Sequence, residues 1–299
     1  GTAVGYNALT GVTTGNNNTA VGKESGQTIT TGVDSTYVGA YSGSSNSGSY
    51  NVGIGSSTLQ VTGDGSYNTA LGNSALYSLT SGAGNTACGR SAGGAITTGG
   101  DNTAVGKEAL TTCNTASNNT AVGKAAMQLT STGANNVAVG KSALYTNTTG
   151  SSNVAIGYYA LEKNETAGNN TAVGNDCLKL NTTGSSNTAV GGDALAANTI
   201  GWACTAVGKG ALAANTEGEY NTAVGHAALD AITTGDRCTA VGTYSLGLNT
   251  GSYNSALGMY ALSSNVAAQY NNAFGYAALT ANTTGEGNCA FGHNSLTAN

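Results

Sequence analysis

Proline is absent from this sequence and charge is scarce: Asp, Glu, Lys and Arg together make up 8% of its 299 residues. An average globular domain carries about 25% charged residues, so an ordinary enzyme is a poor match. Disordered chains are rich in charge and proline, and a chain lacking both is not expected to be one. No apolar run reaches the roughly 18 residues of a membrane-spanning helix, so no direct membrane insertion is expected. The sequence does not open on an initiator Met, and no secretory leader is expected within it. The first and last residues fall inside a repeating pattern, which reads as a segment of a longer protein. A net charge of −5 argues against nucleic acid as a partner.

What is there instead is Gly, 47 residues of it, with Thr, Asn, Ser and Ala. Such a composition suits a flexible linker, but the order is too strict for one. Asn136-Val137-Ala138-Val139-Gly140 returns seventeen residues later as Asn153-Val154-Ala155-Ile156-Gly157. With the residue before Ala-Val-Gly taken as slot 0, that slot falls at Thr2, Thr19 and Thr36, then at Val52 and onward to Cys289. Eighteen copies result, the last one partial. All steps are 17 residues except two of 16, Thr36 to Val52 and Thr239 to Ser255. The consensus T-A-V-G-x-x-A-L-x-x-N-T-T-G-x-x-N covers residues 1–299 as one repeat domain.

Seventeen residues are too few for a helical hairpin or a propeller blade. Val, Ile and Thr favour strand, and glycines cut the unit into short pieces. The expected fold is all-β: a parallel β-solenoid (β-roll) of about 18 coils, one per repeat, each of strand, corner, short strand and turn. Coils would stack about 4.8 Å apart and build the core that no single coil can bury. The two short units lose their residue in the turn, where a solenoid tolerates it.

Slot 3 is Gly in every copy, which calls for positive φ or a close backbone approach. Slot 7 is Leu in fourteen copies, Met127 in one and Gly26, Gly43 or Gly93 in the others, and reads as the main core filler. Asn before slot 0, as at Asn18, Asn68 and Asn221, suggests side-chain amides bonding along the stack. Asn147–Gly150 and Asn181–Gly184 read as tight turns. Slots 0 and 2 share one strand face and carry Thr or Val and an apolar residue. Slots 1 and 3 share the other and are Ala or Gly, Tyr37 being the exception at slot 1. Restriction on both faces suggests burial on both, with the Ala/Gly side against a neighbouring chain and a three-fold bundle the simplest closure. The rival is a lone solenoid with Ala and Gly inside and Thr and Val ladders outside.

Asn153-Val154-Ala155-Ile156-Gly157 resembles the head repeat of trimeric autotransporter adhesins, in which a similar unit builds left-handed parallel β-rolls in a trimer. The longer phrase NTAVGxxAL…NTTG is similar to repeats of phage tail-fibre and bacterial surface-fibre proteins. The resemblance spans the whole chain, although the period is longer than in the adhesin heads. It implies a homotrimer or filament at a cell or virion surface.

Little here points to chemistry. His226 and His293 both follow the Gly corner, four coils or roughly 19 Å apart, and read as surface residues. The six cysteines occupy small-residue slots, form no C-x-x-C and read as packing residues, with an interchain disulfide at a trimer axis as an alternative. Gly140-Lys141-Ser142 lacks the Gly that a phosphate loop needs at Asn135. The carboxylates form no calcium-type run. No cofactor, metal site or catalytic group is expected. Two constellations remain as glycan contacts. One is a corner line of Lys107, Lys124 and Lys141; its bland reading is a solvated edge. The other is the pairs Tyr50 with Tyr67 and Tyr253 with Tyr270, since Tyr offers an apolar face and a polar tip; their bland reading is mutual stacking. Asn-x-Thr sequons fall at Asn17, Asn118, Asn147, Asn164, Asn169, Asn181 and Asn282. The expectation is a non-enzymatic structural fibre, extracellular, self-associating, with surface glycans as possible partners. The alternative is an ice-binding β-solenoid using its Thr ladders.

Overall fold

A computed structural model describes residues 1–61 and 63–297. The chain forms two compact units, Gly1–Ser152 and Asn153–Asn299, and both are parallel β-solenoids of about 17 residues per coil. Among the described residues each unit carries nine three-residue strands, one per repeat. The first unit runs from β1 (Thr2–Val4) and β2 (Thr19–Val21) to β9 (Val137–Val139). The second runs from β10 (Val154–Ile156) and β11 (Thr171–Val173) to β18 (Cys289–Phe291). Within each unit consecutive strands pair in parallel with like slots opposite one another: Thr2 with Thr19, Ala3 with Ala20, Val4 with Val21. In the second unit Thr188, Ala189 and Val190 face Thr205, Ala206 and Val207 in the same way.

The expected second strand is replaced by a curled ladder. Slots 5 and 7 have left-handed backbone, as at Ser74 (φ 57°) and Leu76 (φ 49°), so the chain bends where a strand would run straight. The amides still pair between coils: Leu76 N–H donates to the Ala92 carbonyl at 3.0 Å and Ser78 N–H to the Gly94 carbonyl at 3.1 Å. A left-handed Leu costs on the order of 1 kcal/mol. The same curl aims the side chain inward, where full burial returns about 1.5–3 kcal/mol. Leu76, Leu110, Leu178 and Leu212 are all completely buried.

Slot 3 has both properties expected of it. At Gly208 φ is +134°, and a Cβ there would stand 2.4 Å from the Gly225 carbonyl oxygen of the next coil. Only glycine meets both constraints.

The strand faces fall opposite to the bundle expectation. Ala at slot 1 points into its own coil: Ala87, Ala121, Ala189 and Ala223 are wholly inaccessible. The Thr and Val of slots 0 and 2 face outward and are half-buried or exposed. The coil is thin, so a side chain larger than Ala at slot 1 meets the opposite wall. Tyr37 shows the limit. Its ring fits because Gly43 and Gly53 replace the usual Leu and Ala around it; a Cβ on Gly43 would come within 2.3 Å of the ring. Both 16-residue coils lack the second Thr of the turn, so that Ser47 is followed directly by Gly48 and Thr250 by Gly251.

Two columns of buried amides complete the interior. At slot 16, Asn68 Nδ2 donates to the Gly82 carbonyl at 3.0 Å and its Oδ1 accepts the Asn85 backbone N–H at 2.9 Å. In the second unit Asn170 does the same with Gly184 and Asn187, both at 2.9 Å. The other column is slot 10, the first residue of the Asn-Thr-Thr-Gly turn. Asn181 Nδ2 bonds to the Gly184 carbonyl of its own turn and to Asn164 Oδ1 of the preceding coil, each at 2.9 Å. Asn198 and Asn215 continue the column at 2.8 Å per step. These bonds satisfy turn carbonyls that would otherwise be buried unpaired.

Candidate interaction surfaces

Strands of three residues alternate out, in, out, so each coil projects two strand side chains from one face. In the second unit the slot-2 column is Ile156, Val173, Val190, Val207, Val224, Val241, Leu257, Phe274 and Phe291, each an apolar side chain beside the next. Val207 is 37% exposed, Phe274 38% and Leu257 46%. Alongside it the slot-0 column holds Thr171, Thr188, Thr205, Thr222 and Thr239 in five consecutive coils. The first unit has the same arrangement, with Val21, Val38, Ile54 and Leu71 exposed beside it.

Lys107, Lys124 and Lys141 stand at slot 4 on the exposed corner after the Gly turn. Lys107 Nζ lies 3.5 Å from Glu108, whose carboxylate also takes the Arg90 guanidinium at 2.7 Å. Part of this positive line is therefore neutralised by its own neighbours. Such exposed pairs contribute at most about 1 kcal/mol.

The slot-15 tyrosines do stack. Tyr50 and Tyr67 have centroids 4.9 Å apart and planes 9° from parallel. Tyr253 and Tyr270 are 5.2 Å apart at 16°. Each ring has one face turned to its partner, which leaves only the outer faces and the hydroxyl edges for other contacts. The second pair belongs to a longer run. Arg237 lies over Tyr220 at 5.2 Å and Tyr253 at 5.7 Å, and Tyr220 meets the edge of Trp202 at 4.5 Å. A second aromatic run, along the corner at slots 4 and 5, joins His226, Tyr244, Tyr260, Tyr276 and His293. The two histidines flank it and do not meet.

All six cysteines are free thiols. Cys204 and Cys238 take over the slot-16 donor role, with Sγ 3.2 Å from the Gly218 and Gly251 carbonyls respectively. Burial pushes these two thiols and Cys113 up to about 11, and Cys177 up to about 12, which makes them poor nucleophiles at neutral pH. Cys289 is exposed and Cys88 half-buried, both on the outward strand face. Of the sequons, Asn147, Asn164, Asn181 and Asn282 are buried amide-column members. Asn17, Asn118 and Asn169 are exposed at the turn before slot 0.

Among the described residues no three His, Cys, Asp or Glu side chains stand together as a metal site. No helix among them is long and apolar enough to cross a membrane. No protein-family model matches the chain, and no curated protein matches it.

Proposed function

We propose that the chain is the shaft of an extracellular fibre or filament, adhesin- or tail-fibre-like, in which identical chains associate through their Thr-x-Val faces. The observation that carries the reading is the half-exposed apolar column of slot 2. A face left to water would admit charged residues from one coil to the next; this one holds Val, Ile, Leu, Phe or Cys in every coil. Continuous apolar surface of this kind marks an interaction site, and flat in-register columns suit a second copy of themselves. Three chains around an axis would cover every such face, in keeping with the resemblance to trimeric adhesin heads. The role is mechanical: a shaft holding binding elements away from a cell or virion surface. Sedimentation equilibrium tests it. A mass near three times 29.1 kDa is expected, falling to the single-chain mass in a Val207→Glu/Val224→Glu variant. A monomeric wild-type chain would remove the proposal.

Ice binding is the second reading, favoured by the outward direction of the Thr column. Five threonines in consecutive coils repeat about every 4.8 Å. This reading needs the same face free in water, so it competes with chain association. A monomer showing thermal hysteresis and faceted ice crystals would establish it; a trimer without hysteresis would exclude it.

A further inference from the structure

The curled ladder forms a second outward surface at slots 5, 8 and 9, away from the Thr-x-Val face. Its depth is set by slot 8. Where that slot is small, the surface opens into a cleft. Gly94 opens one of about 300 Å³ beside Ser74, Ser91 and Tyr77. Ala196 and Ala213 open one of about 350 Å³ beside Asp176 and Asp193. Gly247 opens the third, of about 360 Å³.

The third cleft differs in its chemistry. Tyr244 and Tyr260 form one side, with ring planes 1° from parallel and centroids 5.7 Å apart. Leu248, 57% exposed, adds an apolar surface. Asp230, Ser263 and Ser264 bring a carboxylate and two hydroxyls to the same space. The Asp230 carboxyl is partly withdrawn from water, which pushes its pKa up. A carboxylate in that setting gains more from a hydroxyl donor than one in bulk solvent. The volume is at the small end of ligand sites, and the mix of aromatic surface with a few convergent polar groups is what such sites share.

We propose that this cleft binds a neutral glycan. A pyranose ring has an apolar C–H surface to set against Tyr244, Tyr260 and Leu248, and hydroxyls to donate to Asp230 and exchange with Ser263 and Ser264. The carboxylate and the chain's net charge of −5 disfavour anionic sugars. The site is distinct from the Tyr50, Tyr67, Tyr253 and Tyr270 stacks, and it does not depend on whether chains associate.

The test is a glycan array carrying neutral and anionic oligosaccharides, followed by calorimetric titration of the strongest neutral ligand. Gly247→Gln is the blocking variant. The Gly247 backbone is not left-handed, a Cβ there meets nothing closer than 3.4 Å, and Gln27, Gln60 and Gln128 already occupy the same slot in other coils. It should fold as the wild type does, checked by thermal melting, and weaken binding at least about tenfold. Tyr244→Ala and Asp230→Asn should each weaken it several-fold, while Tyr50→Ala should not. Binding confined to anionic glycans, no glycan binding, or an affinity unchanged in Gly247→Gln would overturn the proposal.

Discussion

Replacing Asn198 by Ala should loosen the second unit by roughly 2–4 kcal/mol. The side chain is fully buried and serves three bonds: Nδ2 donates to Asn181 Oδ1 at 2.8 Å and to the Gly201 carbonyl at 2.9 Å, and Oδ1 accepts from Asn215 Nδ2 at 2.8 Å. The losses are unequal. The Gly201 carbonyl keeps Asn187 Nδ2 at 2.8 Å, and Asn215 Nδ2 keeps the Gly218 carbonyl at 3.1 Å. Asn181 Oδ1 is left buried with no donor, at about 1–3 kcal/mol, and the weakened Asn215 contact adds about 1 kcal/mol. The native chain contains a comparable break: Ile232 interrupts the column and leaves Asn215 Oδ1 buried without a partner. A stack of repeats need not unfold in one step, so the assay is native-state hydrogen exchange at the Leu195 and Leu212 amides, which bridge adjacent coils. Their protection should fall about 30- to 700-fold, at 1.4 kcal/mol per tenfold. Asn198→Ile should recover part of the loss through apolar burial, and exposed Asn175→Ala should change little. Protection unchanged within about threefold in Asn198→Ala would refute the view that this column carries stability.

Four further expectations follow from the same structure. Gly208→Ala combines a strained φ with a contact to the Gly225 carbonyl and should destabilise by about 2 kcal/mol or more, read as a lower urea midpoint. Gly43→Leu should be severely destabilising alone, because its side chain would enter the Tyr37 ring. It should be rescued in Tyr37→Ala/Gly43→Leu, and additive effects in that double-mutant cycle would contradict the packing described. In native protein at pH 8, maleimide should label Cys289 rapidly and Cys88 more slowly, sparing Cys113, Cys177, Cys204 and Cys238. These four thiols and the Tyr37 phenol, itself pushed up to about 12 by burial, are held protonated by the fold. Stability is therefore complete below their unfolded pKa values, near 9 for the thiols and 10 for the phenol. It falls as pH rises from there through about 11–12. Alkaline unfolding that sets in no earlier in wild type than in Cys113→Ser or Cys177→Ser would contradict this.

Much of the solenoid was legible in the residues because one coil per repeat leaves so little freedom. The step of 17 sets the coil, the invariant glycine sets its corner, and the recurring Leu sets its filling. Cys204 and Cys238 were readable as column members from their slots alone. The slot-10 column had a signal too, the recurrence of Asn164, Asn181, Asn198 and Asn215 at an unbroken step. An Asn-Thr-Thr-Gly turn is explained equally well by its own backbone, which hid the inward direction of the amide. The Gly247 cleft had a fainter trace, a glycine at a slot that holds a larger residue such as Gln, Tyr or Thr in most other coils.

The sequence by itself determined the period, the parallel in-register stacking, the glycine corners and the tolerance of a lost residue in the turn, because each is a property of a single repeated unit. Only the tertiary structure decided which strand face is inside. Alternation restricts both faces equally, and hydrophobicity alone would have placed Val within and Ala without. The thinness of the coil reverses this: the curled ladder of slots 5–9 brings Leu so close beneath the strand that only an Ala methyl fits above it. The larger Thr and Val side chains are turned outward.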